Sequence, residues 1–315
     1  MRIAFLGTPD FAVATLDALV QAKLNVVAVV TAPDKPSGRG LKLKQSAVAD
    51  AADAFGIPTL KPEKLKDPNF LEQLKSYQAD IQVVVAFRML PELVWNMPEL
   101  GTYNLHGSLL PDYRGAAPIN HAIINGEKKT GATTFKLVHA IDQGAIALQD
   151  EILISENQTA GELHDEMMHI GAELMVKTLH QLENNQMNLV EQHIDRSKPA
   201  KEAPKLSPAF CTLNAHVLAQ KLHNFIRGLS PHPGVSTNFK VDGEVLPFKL
   251  YRSALTGRTT ENHDIGDIVL EDGRLYICCA DELLEILELQ PAGKRRMSTK
   301  EFLNGFKFEG FMKVE

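Results

Sequence analysis

Hydrophobic runs of strand length alternate with helix-patterned segments through the first half of the chain. RIAFLG (residues 2–7) and NVVAVV (25–30) are continuous apolar runs, which is the pattern of strands buried on both faces. Between them, the apolar residues of FAVATLDALVQA recur at helical spacing. This order of strand, helix and strand is typical of a βαβ unit, whose two strands lie parallel.

The same alternation predicts the other elements of this half. We expect strands at 81–87, 102–106, 132–138 and 145–154, and helices near 46–55, near 91–95 and within 118–126. A capping box of Thr159 and Glu162 marks the start of a longer helix that ends near Leu182. The sequence therefore predicts an α/β fold with a mostly parallel, doubly wound, Rossmann-like sheet.

The pattern changes after residue 189. Residues 190–207 are polar, contain prolines and show no periodicity, as expected of a linker. Beyond them we predict a helix over 214–227 and then short strands joined by tight turns that contain Asp-Gly pairs. We therefore predict a first domain at 1–189, a linker at 190–207 and a small antiparallel barrel domain at 208–315.

Length and composition agree with two ordinary globular domains. Of the 315 residues, 44% are hydrophobic and 23% are charged. No apolar run approaches the roughly 20 residues of a membrane-spanning helix, and the first apolar stretch is too short for a signal peptide. We expect a cytoplasmic protein with no membrane partner, and nothing in the sequence demands more than a monomer.

Charge and cysteine content bear on nucleic-acid binding, disulfides and metal sites. The net charge of −6 argues against a surface coated with basic residues for nucleic acid, but basic residues cluster at 35–44, 196–205 and 294–296. Each cluster, taken singly, could equally be a solvated loop. The three cysteines form no C-x-x-C pair, so we predict reduced, structural thiols rather than disulfides or a zinc site.

Polar residues with catalytic chemistry follow two of the predicted strands. In NLHGSLLPDYRG (104–115), Asn104 and His106 stand two apart, so their side chains share one face of a strand. A lone histidine there would more often be a satisfied polar residue. The next strand, however, is followed by HAIDQG, and we expect its Asp142 at the same sheet edge, where α/β sheets bind ligands. An amide, an imidazole and a carboxylate suit a reaction in which a carbonyl oxygen becomes an oxyanion and a proton moves.

Three further observations argue against a nicotinamide cofactor, covalent catalysis and a metal site. GTPDFA has one glycine where a dinucleotide fingerprint needs three, which argues against a nicotinamide oxidoreductase. No Ser or Cys lies in a nucleophile elbow, so direct transfer between bound substrates is favoured over covalent catalysis. The histidines of HDEMMH (164–169) are five apart, which is not the metalloprotease spacing, and no metal is predicted.

Several longer motifs resemble those of a known family. NLHGSLLPDYRGAAPI followed by AIDQG is similar to the signature of the 10-formyltetrahydrofolate-dependent formyltransferases. FLGTPDFA, TAPDKPSGRGLKLK and LELQPAGKRRMSTKEFLNG resemble, over both domains, the branch of that family that formylates methionyl-tRNA. The resemblance implies a formyltransferase catalytic domain followed by an OB-like barrel.

The resemblance also implies roles for individual residues. The α-amine of methionyl-initiator-tRNA would attack the formyl carbon of 10-formyltetrahydrofolate without a metal; Asn104 and His106 would stabilise the oxyanion, His106 would move protons, and Asp142 would orient His106. The implied folate contacts are Ser108, Leu109, Leu110 and Pro111, together with Phe87, Arg88, Met89 and Leu90. The implied tRNA contacts are Arg39 at the first base pair of the acceptor stem, and Lys35, Lys42 and Lys44 at phosphates.

Two further interpretations remain open on the sequence alone. A formyltransferase acting on an amino sugar or on glycinamide ribonucleotide would use the same three catalytic residues, although the second domain disfavours glycinamide enzymes and PDKPSGRGLKLK disfavours amino-sugar enzymes. A non-enzymatic RNA-binding protein would rely on the barrel. Residues 208–315 contain 13 Lys and Arg against 14 Asp and Glu, which is too balanced for tight RNA binding by the barrel alone.

Overall fold

The structure, a computed structural model, describes residues 1–37, 42–193, 197, 201–241, 244–260, 262–306 and 312–314. It divides into two compact units. The first unit comprises Met1–Pro118, Thr130–Ile152 and His164–Glu202, and the second comprises Ile119–Lys129, Leu153–Leu163 and Ala203–Glu315. The second unit therefore includes two segments that lie within the predicted catalytic domain. The predicted boundaries at residues 189 and 207 stay a prediction.

Helices and strands alternate through the first unit, and strands dominate the second. Up to residue 183 the elements are β1 (Arg2–Gly7), α1 (Asp10–Gln21), β2 (Asn25–Val30), β3 (Lys35–Ser37), β4 (Lys42–Lys44), α2 (Ala47–Ala54), β5 (Thr59–Leu60), α3 (Pro68–Ser76), β6 (Ile81–Val85), α4 (Glu92–Trp95), β7 (Thr102–His106), β8 (Arg114–Gly115), α5 (Pro118–Ile124), β9 (Lys129–Lys136), β10 (Ile146–Leu153) and α6 (Ala160–Glu183). They are followed by β11 (Glu202–Ala203), α7 (Ala219–Gly228), β12 (Val235–Val241), β13 (Glu244–Thr259), β14 (Ile268–Glu271), β15 (Arg274–Cys278), β16 (Glu282–Pro291), β17 (Met297–Ser298), α8 (Thr299–Gly305) and β18 (Met312–Val314).

The first unit is built on a seven-stranded sheet with the order β10-β9-β7-β6-β1-β2-β5. The five neighbouring strands β7, β6, β1, β2 and β5 pair in parallel. All five residues of β6 and the last five of β1 are buried, as their continuous apolar runs indicate. The predicted Rossmann-like α/β fold is confirmed.

The edge beyond β7 departs from the parallel pattern. β9 pairs with β7 in the antiparallel direction, with Lys136 opposite Tyr103 and Thr133 opposite His106. The prediction that this strand leads to the same sheet edge as β7 is therefore wrong. The physical reason is the connection of residues 107–128, which re-enters the sheet at the edge where β7 ends and so sets β9 in the reverse direction.

Helix starts follow the expected capping chemistry. Glu162 accepts a hydrogen bond from the backbone N–H of Thr159 at 2.8 Å, and the Thr159 hydroxyl accepts one from the N–H of Glu162 at 3.3 Å, so the predicted capping box is confirmed. The backbone bond from Thr159 is the largest cause that lowers the pKa of Glu162. Helix α3 was not predicted from the sequence, although Asp67 caps it and Pro68 occupies its first turn.

The second unit contains an antiparallel sheet with the order β14-β15-β16-β13-β12-β18, and β17 lies beside β16. An antiparallel bridge between Asp267 and Lys313 joins the two ends of this order, so the sheet nearly closes into a barrel. Phe239 stacks on Phe248 in its core with ring centroids 4.3 Å apart. The predicted antiparallel barrel is confirmed.

The three cysteines are free and buried. Burial is the largest cause that raises the pKa of Cys278 to about 11 and that of Cys279 to about 12. Thiols with such pKa values carry almost no thiolate near neutral pH, so they are poor nucleophiles and metal ligands. The buried thiols therefore belong to the packing of the barrel.

Candidate active site

His106 ends β7 and is 6% exposed. Its Nε2 lies 2.9 Å from the carbonyl oxygen of Tyr113. Because a carbonyl oxygen only accepts, Nε2 must carry the proton of this bond. The other ring nitrogen, Nδ1, faces a carboxylate oxygen of Asp142 at 3.9 Å. Nδ1 is therefore the nitrogen that can take or give a proton, and it does so beside a negative charge.

Asp142 reaches His106 by a different route from the one predicted. Because β9 is antiparallel to β7, its last residue, Lys136, lies beside Tyr103 at the start of β7. The distance along β7 from Tyr103 to His106 is about 10 Å. The loop of residues 137–145 carries Asp142 back over this distance before β10 begins. The structure thus brings His106 and Asp142 together, although the strand direction inferred from the sequence was wrong.

Several bonds hold Asp142 in place. Its Oδ2 accepts from the N–H of Gly115 at 3.0 Å. The side-chain amide of Gln192 donates to the carbonyl oxygens of Asp142, at 3.0 Å, and Gly144, at 2.8 Å. Arg114 in turn donates to the Gln192 oxygen from Nε, at 3.1 Å, and from Nη2. Asp142 itself has φ of 52°, a left-handed conformation that aspartate tolerates better than most residues.

Arg114 and Gln192 were not predicted as site residues. Burial lowers the pKa of the Arg114 guanidinium, and the negative charge of Asp142 opposes this by raising it. Arg114 and Asp142 therefore interact electrostatically. Arg114 stands within the NLHGSLLPDYRG motif, which is a signal that could have found it. Gln192 lies in the segment interpreted as a linker, where no local pattern indicates a contact with residue 142.

Asn104 lies on the same strand face as His106 and is half-buried. Its register partners are Val84 on β6 and Phe135 on β9, so it sits between two strands of the sheet interior. Within the part of the chain that the structure describes, its amide has no hydrogen-bond partner. It therefore remains available to donate to a bound oxygen.

The Ser-Leu-Leu-Pro segment is bonded into the fold. Ser108 is fully buried, its hydroxyl donates to the carbonyl oxygen of Asp112 at 2.6 Å, and its own carbonyl accepts from Thr133 Oγ1 at 2.6 Å. The buried Leu110 donates its N–H to the same Thr133 oxygen at 3.1 Å. Leu109 and Pro111 are half-buried. The structure thus gives Ser108 an internal role, and folate contacts by this segment stay a prediction.

Residues 86–90 follow β6 at the point where the chain order of the sheet reverses, between β6 and β1. Such switch points form ligand crevices in open α/β sheets. Here Arg88 donates to the backbone carbonyls of Pro62 and, at 2.9 Å, Glu63. Phe87 and Leu90 are half-buried and Met89 is 76% exposed. Direct folate contacts by these residues also stay a prediction.

Three of the residues predicted to bind tRNA, Lys35, Lys42 and Lys44, lie in the antiparallel strand pair of β3 and β4. Lys35 and Lys44 are exposed and directly opposite each other. Arg39 and the side chain of Lys42 lie outside the described residues. Among the other basic clusters, Lys201 lies 3.4 Å from Asp112. In 294–296, Arg295 pairs with Glu301 and Arg296 with Glu288, which offsets much of the positive charge of that cluster.

The arrangement as a whole suits acyl transfer. An amide without a described partner and an imidazole nitrogen beside a carboxylate stand on one strand face, as an oxyanion and a moving proton require. Over the described ranges, no three His, Cys, Asp or Glu residues gather as metal ligands. No helix in those same ranges combines the length and apolarity needed to cross a bilayer.

Comparison with known proteins shows which family models and relatives this chain matches. The family model described as "Formyl transferase" matches residues 1–179, and "Formyl transferase, C-terminal domain" matches residues 205–307. The methionyl-tRNA formyltransferase of Azobacteroides pseudotrichonymphae is 48% identical over 311 residues, covering 96% of this chain and 95% of its own. That of Flavobacterium johnsoniae is 44% identical over 314 residues, covering 100% and 99%.

Solved structures share the fold. WlaRD, a sugar 3N-formyl transferase crystallised with dTDP and 5-N-formyl-THF, superposes with a TM-score of 0.67 at 17% identity, over 94% of this chain and 99% of its own. HypX from Aquifex aeolicus in complex with tetrahydrofolic acid gives 0.64 at 15% identity, over 99% of this chain and 50% of its own. At these identities the similarity shows the architecture alone.

Proposed function

This chain belongs to the formyl transferase family, and we propose that it transfers the formyl group of 10-formyltetrahydrofolate to the α-amino group of methionyl-initiator-tRNA. One observation carries the proposal: relatives named methionyl-tRNA formyltransferase are 44–48% identical along nearly their whole length, through both units. The sugar formyltransferase match, at 17% identity, gives no comparable support for another acceptor. A cytoplasmic location and a monomeric state stay predictions.

The proposed reaction exchanges one carbon–nitrogen bond for another. The neutral α-amine of the methionyl group attacks the formyl carbon, and a tetrahedral intermediate forms whose oxygen carries the negative charge. The bond to N10 of the folate then breaks, the attacking nitrogen loses a proton, and N10 gains one. The products are N-formylmethionyl-tRNA and tetrahydrofolate.

The site residues have complementary parts in this proposal. Asn104 donates its amide to the developing oxyanion. His106, with Nε2 fixed by the Tyr113 carbonyl, uses Nδ1 to take a proton from the attacking amine and to pass one to N10 of the folate. Asp142, held by Gly115, stabilises the positive charge of the imidazolium when Nδ1 is protonated.

The test supplies 10-formyltetrahydrofolate with a radiolabelled formyl group and offers several acceptors to the wild-type protein. Methionyl-initiator-tRNA should take up the label, and hydrolysis of the product should release N-formylmethionine. Uncharged tRNA should remain unlabelled because it lacks the amine. Labelling of a nucleotide-linked amino sugar, with methionyl-tRNA left unlabelled, would replace the proposed acceptor while keeping the formyl donor.

A further inference from the structure

Two parts of the predicted linker contact the loops of the candidate active site. At its start, Val190 forms an antiparallel bridge with Ile146, the first residue of β10, through backbone hydrogen bonds of 2.8 and 2.9 Å. Gln192 lies two residues further on, and its side-chain amide donates to the carbonyl oxygens of Asp142, at 3.0 Å, and Gly144, at 2.8 Å. The bridge therefore fixes the point from which the Gln192 side chain reaches the loop that carries Asp142.

The second part of the predicted linker contacts the loop that follows β7. The backbone N–H of Tyr113 donates to the carbonyl oxygen of Lys201 at 2.6 Å, and Lys201 Nζ lies 3.4 Å from a carboxylate oxygen of Asp112. Tyr113 is the residue whose own carbonyl oxygen accepts from His106 Nε2. The predicted linker is thus bonded to the backbone on each side of the pair of His106 and Asp142.

The two residues that receive these bonds share an unusual backbone conformation. Tyr113 has φ of 59° and Asp142 has φ of 52°, in the left-handed region that residues with a side chain seldom adopt, and bulky ones least of all. Such conformations persist where the surrounding structure holds them, and they cluster at functional sites. Without the bonds to Lys201 and Gln192, we expect both residues to relax toward commoner conformations. The oxygen atoms that face the two nitrogens of His106 would then move.

Arg114 sets the orientation of the Gln192 amide. Its Nε donates to the side-chain oxygen of Gln192 at 3.1 Å. Because a guanidinium only donates and a carbonyl oxygen only accepts, the oxygen of Gln192 must face Arg114 and its NH2 group must face the carbonyls of Asp142 and Gly144. The reverse orientation would place oxygen against oxygen and donor against donor. The contacts therefore assign Gln192 as a donor to the Asp142 loop.

We propose that Val190, Gln192 and Lys201 form a strap that holds His106 and Asp142 in the alignment for proton transfer. Gln192 is the positioning residue of the strap, and it acts through Asp142. The inference rests on the proposed function, because this pair moves the proton in formyl transfer. It makes the predicted linker a support of the catalytic pair as well as a connection.

The test compares Gln192→Met and Gln192→Glu with wild type in steady-state formyl transfer to methionyl-initiator-tRNA. Both variants lose the donations to the Asp142 loop, although Gln192→Glu keeps an acceptor for Arg114. We expect kcat to fall about 10- to 100-fold in both, because a small misplacement of catalytic groups can cost about 100-fold. KM for each substrate should stay close to that of wild type. Gln186→Met, at an exposed glutamine of the same unit, is the matched control and should behave as wild type.

A double-mutant cycle shows whether Gln192 acts through Asp142. Because Gln192 serves to aim the Asp142 carboxylate, Gln192→Met should lower kcat little further in Asp142→Asn, which already lacks that charge. Losses that multiply would show that Gln192 acts independently of Asp142, and they would overturn the proposal. A wild-type kcat in either Gln192 variant would overturn it too. So would KM values for both substrates that rise as kcat falls, because that pattern indicates a general loss of structure.

The choice of acceptor separates failure of the strap from failure of the proposed function. The variants are measured with whichever acceptor takes up label in the test of the proposed function. If that acceptor is an amino sugar, the proposed function fails, whereas a loss confined to kcat still supports the strap. If wild type and Gln192→Met formylate methionyl-tRNA with equal kcat, the strap is refuted and the proposed function stands. If wild type formylates no acceptor, both are refuted.

Discussion

At the scale of single residues, the candidate site depends on which nitrogen of His106 is free. The Tyr113 carbonyl occupies Nε2, and Asp142 stands opposite Nδ1. The sequence was enough to place Asn104 and His106 on one face, because strand side chains alternate with a period of two. It could not reveal Gln192, whose contact with Asp142 spans 50 residues of chain and leaves no local pattern.

Replacing Asp142 by asparagine tests the electrostatic part of the site. The asparagine can still accept from the Gly115 N–H, but it removes the negative charge that faces His106 Nδ1. We expect kcat to fall about 100-fold, within the range of losses that follow removal of one stabilising group from an oxyanion site. KM for methionyl-tRNA should stay close to that of wild type. The measurement is steady-state formyl transfer with each substrate varied in turn.

The control for Asp142→Asn is Asp112→Asn. Asp112 is an exposed aspartate in the same unit, whose carboxylate pairs with Lys201. The Asp112→Asn variant should have the same kcat as wild type. Equal kcat values for Asp142→Asn and wild type would remove Asp142 from the proposed mechanism.

At the scale of elements, the continuous apolar runs and the short helix α4 were predicted well, whereas the short strands β3 and β4 were not. β1 and β2 have the bounds that the sequence indicates, because buried central strands are continuous in hydrophobicity. The three-residue strands β3 and β4 are too short and too polar for any periodicity. Their pairing depends on tertiary contacts such as those of Lys61.

Lys61→Met should release the two ends of the β3–β4 hairpin. The methionine is also unbranched but one atom shorter, and it loses the donations to Asp34 and Gln45. We expect KM for methionyl-tRNA to rise about tenfold, because charge-assisted bonds contribute about 1.5–3 kcal/mol. KM for the folate should not change, and Lys61→Arg should restore part of the tRNA affinity. Folate and tRNA KM values that rise together would show a general loss of structure instead.

At the scale of the whole molecule, the second unit gathers segments that are distant along the chain. Buried Arg227 on α7 donates to the carbonyl oxygen of Gln158 at 2.9 Å and to the side chain of Asn224 at 2.9 Å. His223, one turn earlier, is also buried, and its Nδ1 lies 3.0 Å from Ser253 Oγ. The sequence predicted the barrel from its tight turns, but the inclusion of residues 119–129 and 153–163 depends on long-range contacts of this kind.

His223 should make stability fall in acid. Burial first, and then the positive charge of Arg227, lower its pKa below 6.5, although Glu156 and Ser253 act in the opposite direction. Well above pH 6.5 the imidazole is neutral in both the folded and the unfolded state, so it contributes no pH dependence. Below that pH the unfolded chain binds a proton that the folded protein refuses, and the free energy of unfolding decreases until the lower pKa of the folded state is reached.

Urea unfolding of wild type, His223→Gln and His216→Gln at about pH 7.5 and about pH 5.5 measures this effect. The difference between the two pH values should be smaller in His223→Gln, whatever its absolute stability. His216 is an exposed histidine of the same unit, and His216→Gln should keep the wild-type difference. Identical differences in all three proteins would show that His223 is protonated equally in both states.

The role of His106 is tested by the single-turnover rate of formyl transfer from 10-formyltetrahydrofolate to methionyl-initiator-tRNA, with wild type, His106→Ala and His139→Ala at saturating substrates. His139 is exposed on the loop that carries Asp142, and its variant should match wild type. We predict that His106→Ala binds methionyl-tRNA as wild type does and transfers formyl about 100- to 1000-fold more slowly. A His106→Ala rate equal to that of wild type would contradict the proposed mechanism.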